Sequence, residues 1–428
     1  MAISKETFLY PLAGFGAAAL LYAVYALATA EPTDVLPQGL SGDSEPHDFD
    51  LGSTLAANID APLIDGNRVE LLENGDEIFP PMLEAIRAAE QSVNMLTYIY
   101  WQGDIARRFA RELAAACRRG VEGRVLLDAV GAARMDEALV EQMRAASCQV
   151  AYFHPPRWNE LRRINRRTHR KVMVVDGKRG FTGGVGIAEE WTGDAEDPRH
   201  WRDDHFLVEG PVVRYLQGAF GENWREATGE VLAEERFYPA IDSTGGARAV
   251  PILGEPGTTI SDIAFLYWLS LQRARDRVWI STPYFAPDPD LQESIEAAAR
   301  RGVEIVLILP NELNDSRLVR WASRTYYRSL LEAGVRIFEY QPTMFHVKAV
   351  TVDEDWAIVG SANFDNRSFE LNYEVMLAVE DRELVASLQE SMGADLEESR
   401  EITLEDVEAW SPLARARDRL ATVLREQI

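Results

Sequence analysis

Cysteine is scarce: 428 residues carry two, Cys117 and Cys148. Neither stands in a metal-binding or redox spacing. A disulfide between them is one alternative; free thiols in or near the core are the expectation, so cysteine usage leaves the compartment open. Histidine is scarce too. The six, His47, His154, His169, His200, His205 and His346, form no H-E-x-x-H and no Cys/His zinc spacing. Basic balance is missing: 44 Lys and Arg against 69 Asp and Glu leave a formal net charge of −25. That argues against a general nucleic-acid binder, whose surface is normally basic, but it does not forbid a local basic patch. Apolar content, at 46%, is ordinary for a globular chain, and the length points to two domains or one large duplicated one.

Charge is absent altogether from residues 8–30, FLYPLAGFGAAALLYAVYALATA. The run is long enough to cross a bilayer as a helix. Pro11 lies near its start, where a helix tolerates proline best, and Tyr10, Tyr22 and Tyr25 suit interfacial or lipid-facing positions. The A-T-A at 28–30 resembles a signal-peptidase site, but the run exceeds a usual signal h-region, so residues 1–30 read as an anchor rather than a cleaved signal. Lys5 precedes the run, Glu31 and Asp34 follow it, and the next Lys or Arg is Arg68. The positive-inside rule then places the bulk of the chain outside the cytoplasm. Residues 31–66, rich in Pro, Gly, Asp and Ser, read as a linker. At the other end, residues 401–428 read as an amphipathic helix, docked on the folded body or, alternatively, lying on a bilayer.

Between these segments the chain repeats itself. SVNMLTYIYW at 92–101 is matched by DRVWISTPYF at 276–285, each a strand ending in an aromatic cluster. The stretches 105–128 and 291–310 both run through R-R-G-V-E, a helix stopped at glycine and followed by an apolar strand. The offset between matching residues drifts from 185 (Val93 to Val278) to 177 (His169 to His346), as loop insertions in a duplicated unit would cause. Strand–helix alternation predicts an α/β fold with mixed sheets, in two lobes at 67–245 and 246–400.

Each half carries one chemically distinctive strand, HRKVMVVD from His169 and HVKAVTVD from His346. Alternation places His169 with Lys171, and His346 with Lys348, on one face at the strand's end. Asp176 and Asp353 fall on the opposite face and read as structural. A lysine in so apolar a setting is costly to bury unless an anion meets it, and a phosphate would. Glycine turns follow, GGVG in the first half and GSAN in the second, the latter supplying Ser361 and Asn363 as donors. Asp203 and Glu374 occupy corresponding places farther on; a carboxylate on the second ring nitrogen would fix each histidine's tautomer. A lone H-x-K is weak, and a lone strand histidine is usually structural. Two units with the same spacing to an aspartate and a glycine turn are hard to obtain by chance.

The paired pattern H-x-K-x4-D-x6-G-[GS] resembles the signature of the phospholipase D superfamily over roughly residues 69–395. TPYFAPD (282–288), RTYYRSLLEAGVRIFEY (324–340), GSANFDNRSFELNYEV (360–375) and WRDDHFLVEGPVV (201–213) resemble its bacterial cardiolipin synthase branch. The resemblance implies a duplicated fold of two α/β/α sandwich lobes with one active site at their interface. It also implies a phosphatidyl transfer in which His169 forms a phosphohistidine and His346 moves the proton, the two titrating as a coupled pair. Lys171, Lys348 and Asn363, with Ser361 in support, would hold the phosphoryl oxygens. No metal or diffusible cofactor is needed. Gly186 departs from the family, which often carries asparagine there; the first half would then bind phosphate with one donor fewer, or through the backbone amides that Gly184 and Gly186 expose.

The stretch PPRWNELRRINRRTHRK at 155–171 stands out in so acidic a chain. Arg162, Arg163, Arg166 and Arg167 read as a headgroup-recruiting patch, with Trp158 and Phe153 helping at an interface. The expected substrates are phospholipids, phosphatidylglycerol foremost, at a membrane, with no nucleic acid; oligomeric state is unassigned. The alternatives are a hydrolase or nuclease of the same superfamily using water, and an inactive membrane-tethered scaffold.

Overall fold

The structure is a computed structural model that describes residues 48–156, 165–257 and 261–422. The apolar run at 8–30 and Arg162, Arg163 and Trp158 lie outside the described residues. Among the described residues no helix is long and apolar enough to cross a membrane.

Two halves repeat one strand order. In the first, the order across the sheet is Ile64–Glu73, Asp204–Glu209, Arg179–Gly183, Val172–Val175, Ser92–Thr97, Glu122–Asp128, Gln149–Phe153. In the second it is Ala247–Gly254, Asn372–Glu380, Trp356–Gly360, Ala349–Val352, Arg277–Ser281, Glu304–Pro310, Arg336–Tyr340, with Ser399–Ile402 added at the edge. The three strands at the outer end of the first half pair parallel and the others antiparallel, so the sheet is mixed. The halves join edge to edge where Ile64 opposes Ala249 and Asn67 opposes Ala247. One apolar cluster takes Val172, Val174, Phe206 and Val208 from the first half and Val347, Val359, Val375 and Leu377 from the second. Burying each such side chain contributes about 1.5–3 kcal/mol, so docking the halves is a major part of the core.

The helices follow their apolar stripes. Asp104–Arg118 buries Ile105, Phe109, Ala110, Leu113, Ala114 and Cys117, the i, i+4 spacing of one helical face. It ends at Gly120, whose φ of +97 only glycine takes readily, and Gly302 repeats the turn at φ +98 in the second half.

Four expectations are corrected. Cys117 and Cys148 are joined in a disulfide rather than free. The helix end and the start of strand Gln149–Phe153 converge over Gly123, where a Cβ would lie 2.4 Å from the Cys117 sulfur; the missing side chain makes the room. The linker is ordered in part: Leu51–Asn58 is a helix capped by Asp50, and Leu51 and Leu55 enter the core of the second half. The C-terminal segment is two helices, Leu404–Ala409 and Pro412–Ala421, because Pro412 cannot extend the first and Ser411 caps the second. Finally, His169–Lys171 and His346–Lys348 are not within strands. The strands start at Val172 and Ala349, and the His–Lys segments lead into them.

Candidate active site

Each His–Lys segment is held by the opposite half. Residues 167–168 pair parallel with Asn372 and Tyr373, and the His169 amide donates to Tyr373 O at 2.9 Å. In the mirror arrangement the Arg202 amide donates to Met344 O at 3.0 Å, and the His346 amide to Arg202 O at 2.8 Å. The carboxylates are exchanged in the same way. His169 Nδ1 lies 2.8 Å from Glu374 Oε1, and His346 Nδ1 lies 2.7 Å from Asp203 Oδ2. With Nδ1 engaged, the reactive nitrogen of each ring is Nε2, and that of His346 lies 3.2 Å from Lys348 Nζ. The loop carrying Asp203 is clasped by Arg202, whose buried guanidinium bonds Asp204, Ser391 at 2.6 Å and Asp395 at 2.8 Å, reaching the helix Arg382–Glu397 of the second half.

Both imidazoles line one cavity of about 440 Å³. Lys171, Asn363, Arg134, Arg167 and Arg367 share its wall, as do Tyr98, Trp101, Trp191, Trp201 and Tyr284. Lys348 sits beside His346, its Nζ 2.9 Å from Nδ1, and donates to His346 O at 2.7 Å. Lys171 Nζ donates to His169 O at 2.9 Å. Asn363 is buried and its amide oxygen has no protein partner.

Burial sets the electrostatics. It pushes His169 down to about 4, against the pull of the Glu374 charge, so the ring is neutral near pH 7. His346 is also lowered, by burial and then by the Lys348 charge, with Asp203 opposing. Burial lowers Lys171 to about 7 and Lys348 to about 8, so each sits close to its titration point and a bound anion would hold it charged. For Asp203 and Glu374 burial acts upward, but the histidine and lysine charges beside them prevail and keep both below the usual carboxylate range. Asp365, which also lines the cavity, is pushed up to about 7 by burial.

The other candidate residues serve different ends. Asp176 and Asp353 sit in left-handed turns and accept backbone amides, Asp176 from 90–92 and Asp353 from 275–277, so they tie sheet turns together away from the cavity. The Ser361 hydroxyl donates to Glu374 Oε2 and thus steadies a carboxylate. The Gly184 amide is taken by Asp204 O, so it has no proton for a phosphate. The cavity wall does not include Gly186; Ile99 and Trp191 pack over it. The basic run is not simply a surface patch. Arg167 is buried and bonds His154 O and Asp128, and Arg170 is fully buried against Glu222 and the Glu374 backbone. Arg166 is half-buried, and its carbonyl accepts from His154 Nδ1. Phe153 is fully buried and stacks on His154, which removes it from any interface. Sequence reasoning missed Trp191, Tyr284, Asp365 and Arg367 as site residues, although TPYFAPD holds Tyr284 and the NFDNRS run holds the last two.

The family described as "Cardiolipin synthase, PLD-like domain" matches residues 82–196 and 269–396, one span in each half. The chain belongs to that family. Cardiolipin synthase 2 of Bacillus cereus is 37% identical over 336 residues, 77% of this chain and 65% of that protein. Cardiolipin synthase A of Pseudomonas aeruginosa is 37% identical over 346 residues, 81% of this chain and 70% of that protein. The chain thus spans about two thirds of the length of such relatives. Among solved structures, phosphatidylserine synthase of Haemophilus influenzae superposes with a TM-score of 0.66 at 15% identity, covering 89% of this chain and all of that one. Polyphosphate kinase of Porphyromonas gingivalis gives 0.54 at 13% identity, over 88% of this chain and 52% of that one. At such identities the likeness is one of fold.

Proposed function

We propose that the chain is a phosphatidyltransferase of cardiolipin synthase type. The observation that carries this is the pair of imidazoles, each bonded at Nδ1 to a carboxylate, with both rings on one cavity beside two lysines. His169 Nε2 attacks the phosphorus of a phosphatidyl donor. The P–O bond to the leaving alcohol breaks, and His346 gives that oxygen its proton. The phosphohistidine is then attacked by the hydroxyl of phosphatidylglycerol, His346 takes the hydroxyl proton, and the P–N bond breaks. Lys171, Lys348 and Asn363 offset the charge on the non-bridging oxygens. The neutral state of the His169 ring supports its assignment as nucleophile.

The membrane placement belongs to the same proposal. The uncharged run at 8–30 anchors the chain, and the lobes lie on the non-cytoplasmic side. The Cys117–Cys148 disulfide supports that side, since such bonds persist in oxidising compartments.

The test offers the purified protein phosphatidylglycerol vesicles and, separately, single-stranded DNA, with products read by mass. Cardiolipin with stoichiometric glycerol is expected. Phosphatidic acid alone would make water the acceptor, and cleaved DNA with untouched lipid would overturn the proposal. Trapping under alkaline denaturing conditions, which spare the acid-labile P–N bond, should yield phosphohistidine in the wild type and none in His169→Ala; the reverse pattern in His346→Ala would exchange the two roles.

A further inference from the structure

The turns after the two strands, GGVG and GSAN, share only their first glycine, and the last of their three differences is the widest in chemistry. Gly186 stands where the second half has Asn363. A Cβ at 186 would lie 2.8 Å from Ile99 Cβ and 3.2 Å from Trp191 Cζ3. The space beside Gly186 is taken by Ile99 and by the indole of Trp191, which is 1% exposed and held in the short 3-10 turn Glu189–Trp191. Its Nε1–H donates to Asp203 Oδ2 at 2.8 Å. That is the same oxygen that takes His346 Nδ1 at 2.7 Å. Asp203 Oδ1 accepts the Asp204 amide at 2.8 Å, so the carboxylate is pinned at both oxygens. The indole also meets the His346 ring edge-on, at 5.4 Å between centroids, and is buttressed by Trp201 at 4.5 Å.

The other half solves the same problem differently. There Glu374 is steadied by the Ser361 hydroxyl, at the position matching Gly184. A hydroxyl can rotate, donate or accept; an indole N–H only donates and has one direction.

We propose that Trp191 is a positioning residue for His346, acting through Asp203, and that Gly186 is the concession that lets it in. The loss of the asparagine is therefore not a loss of function in the first half. It exchanges a side-chain amide for a fixed donor on the carboxylate. An added donor stabilises the ionised carboxylate and makes it a weaker acceptor toward the imidazolium, so His346 titrates lower than it would without the indole. The two histidines, alike in sequence, are thereby made unequal.

This inference rests on the reading of His346 as the proton-transfer group, and the test is built so that the two can fail separately. The first arm reads no activity. In full-length protein with ¹⁵N-labelled indoles, one indole resonance should titrate with pH, and the titration should vanish in His346→Ala. If no resonance titrates, or if the titration survives His346→Ala unchanged, the proposal is overturned. The second arm reads catalysis on phosphatidylglycerol vesicles. Trp191→Phe keeps the aromatic packing and removes the donor. It should lower kcat about tenfold with KM changed less than about twofold. The limb of the pH profile governed by His346 should move upward by about half to one pH unit. Gly186→Ala, whose Cβ would press on both Ile99 and the indole, should move the same limb the same way. A limb that stays in place in both variants refutes the role. If the first arm succeeds and no lipid product forms at all, the positioning inference stands and the transferase reading falls.

Discussion

Replacing Glu374 with glutamine changes the chemistry at His169 while leaving its shape. The carboxylate is fully buried and takes the His169 ring at 2.8 Å, the Ser361 hydroxyl, and Asn372 Nδ2 at 3.4 Å. In Glu374→Gln the amide has two ways to sit. With its oxygen toward His169, the tautomer survives and a charge-assisted bond becomes a neutral one, a loss of about 1.5–3 kcal/mol or roughly 10- to 100-fold. With its NH2 toward His169, the proton moves to Nε2 and the attacking lone pair is gone, for which about 10⁴-fold in kcat is the precedent. A second effect adds to either. The Glu374 charge is the largest influence holding Lys171 up against burial, and Lys171 titrates at about 7 even with it. Without that charge Lys171 falls further, so it is charged over less of the neutral range and phosphate binding weakens. We therefore expect kcat to fall between about 10- and about 10⁴-fold, with KM rising as well. The assay is the mass-read lipid transfer, together with the thermal midpoint to establish folding. A folded variant that retains activity within about threefold of wild type would refute the pairing argument.

Further expectations follow from other sites. Reducing the Cys117–Cys148 disulfide, which closes a separation of 31 residues, should cost about 3–4 kcal/mol in urea unfolding; a midpoint unmoved by dithiothreitol counts against the bond. His169 and His205 are lowered by burial to about 4 and about 3, whereas an unfolded histidine titrates near 6.5. From pH 6.5 down to about 4 the unfolded chain binds about one more proton at each, so both make stability fall with falling pH and contribute nothing to the slope above that window. Unfolding free energies measured at several pH values should show this, with a shallower slope in His205→Asn. Gly184→Ala would put a Cβ 2.2 Å from Asp203 Oδ1 and should abolish most activity by displacing that carboxylate. Gly218→Ala, with nothing within 4 Å, should leave activity unchanged in the same assay.

The repeat was legible because the residues that build strands and stops recur in order, and the two strand orders mirror each other accordingly. The His–Lys pairs were legible because a lysine in an apolar stretch demands a reason. Lysine is in fact rare here: Lys5, Lys171, Lys178 and Lys348 are the only ones, and two of the four are at the cavity. What escaped was set by distant partners. Nothing near Arg170 in sequence announces Glu222 or the Gly254 carbonyl, so a fully buried guanidinium reads as a surface charge. Position within a repeat says that Asp203 and Glu374 correspond, but not that each serves the other half's histidine. Trp191 looks like any core tryptophan until its N–H is seen on Asp203. The disulfide partners are separated by 31 residues, and what brings them together is the absent side chain of Gly123.

The exchange of carboxylates between halves has a consequence for biosynthesis. A nascent chain emerging from the ribosome carries His169, Lys171 and Asp203 long before Glu374 is made. Until then the first imidazole lacks its orienting partner, and the aspartate has no ring to hold. Neither half on its own holds a histidine together with its carboxylate, so the proposed chemistry requires both halves to be made and docked.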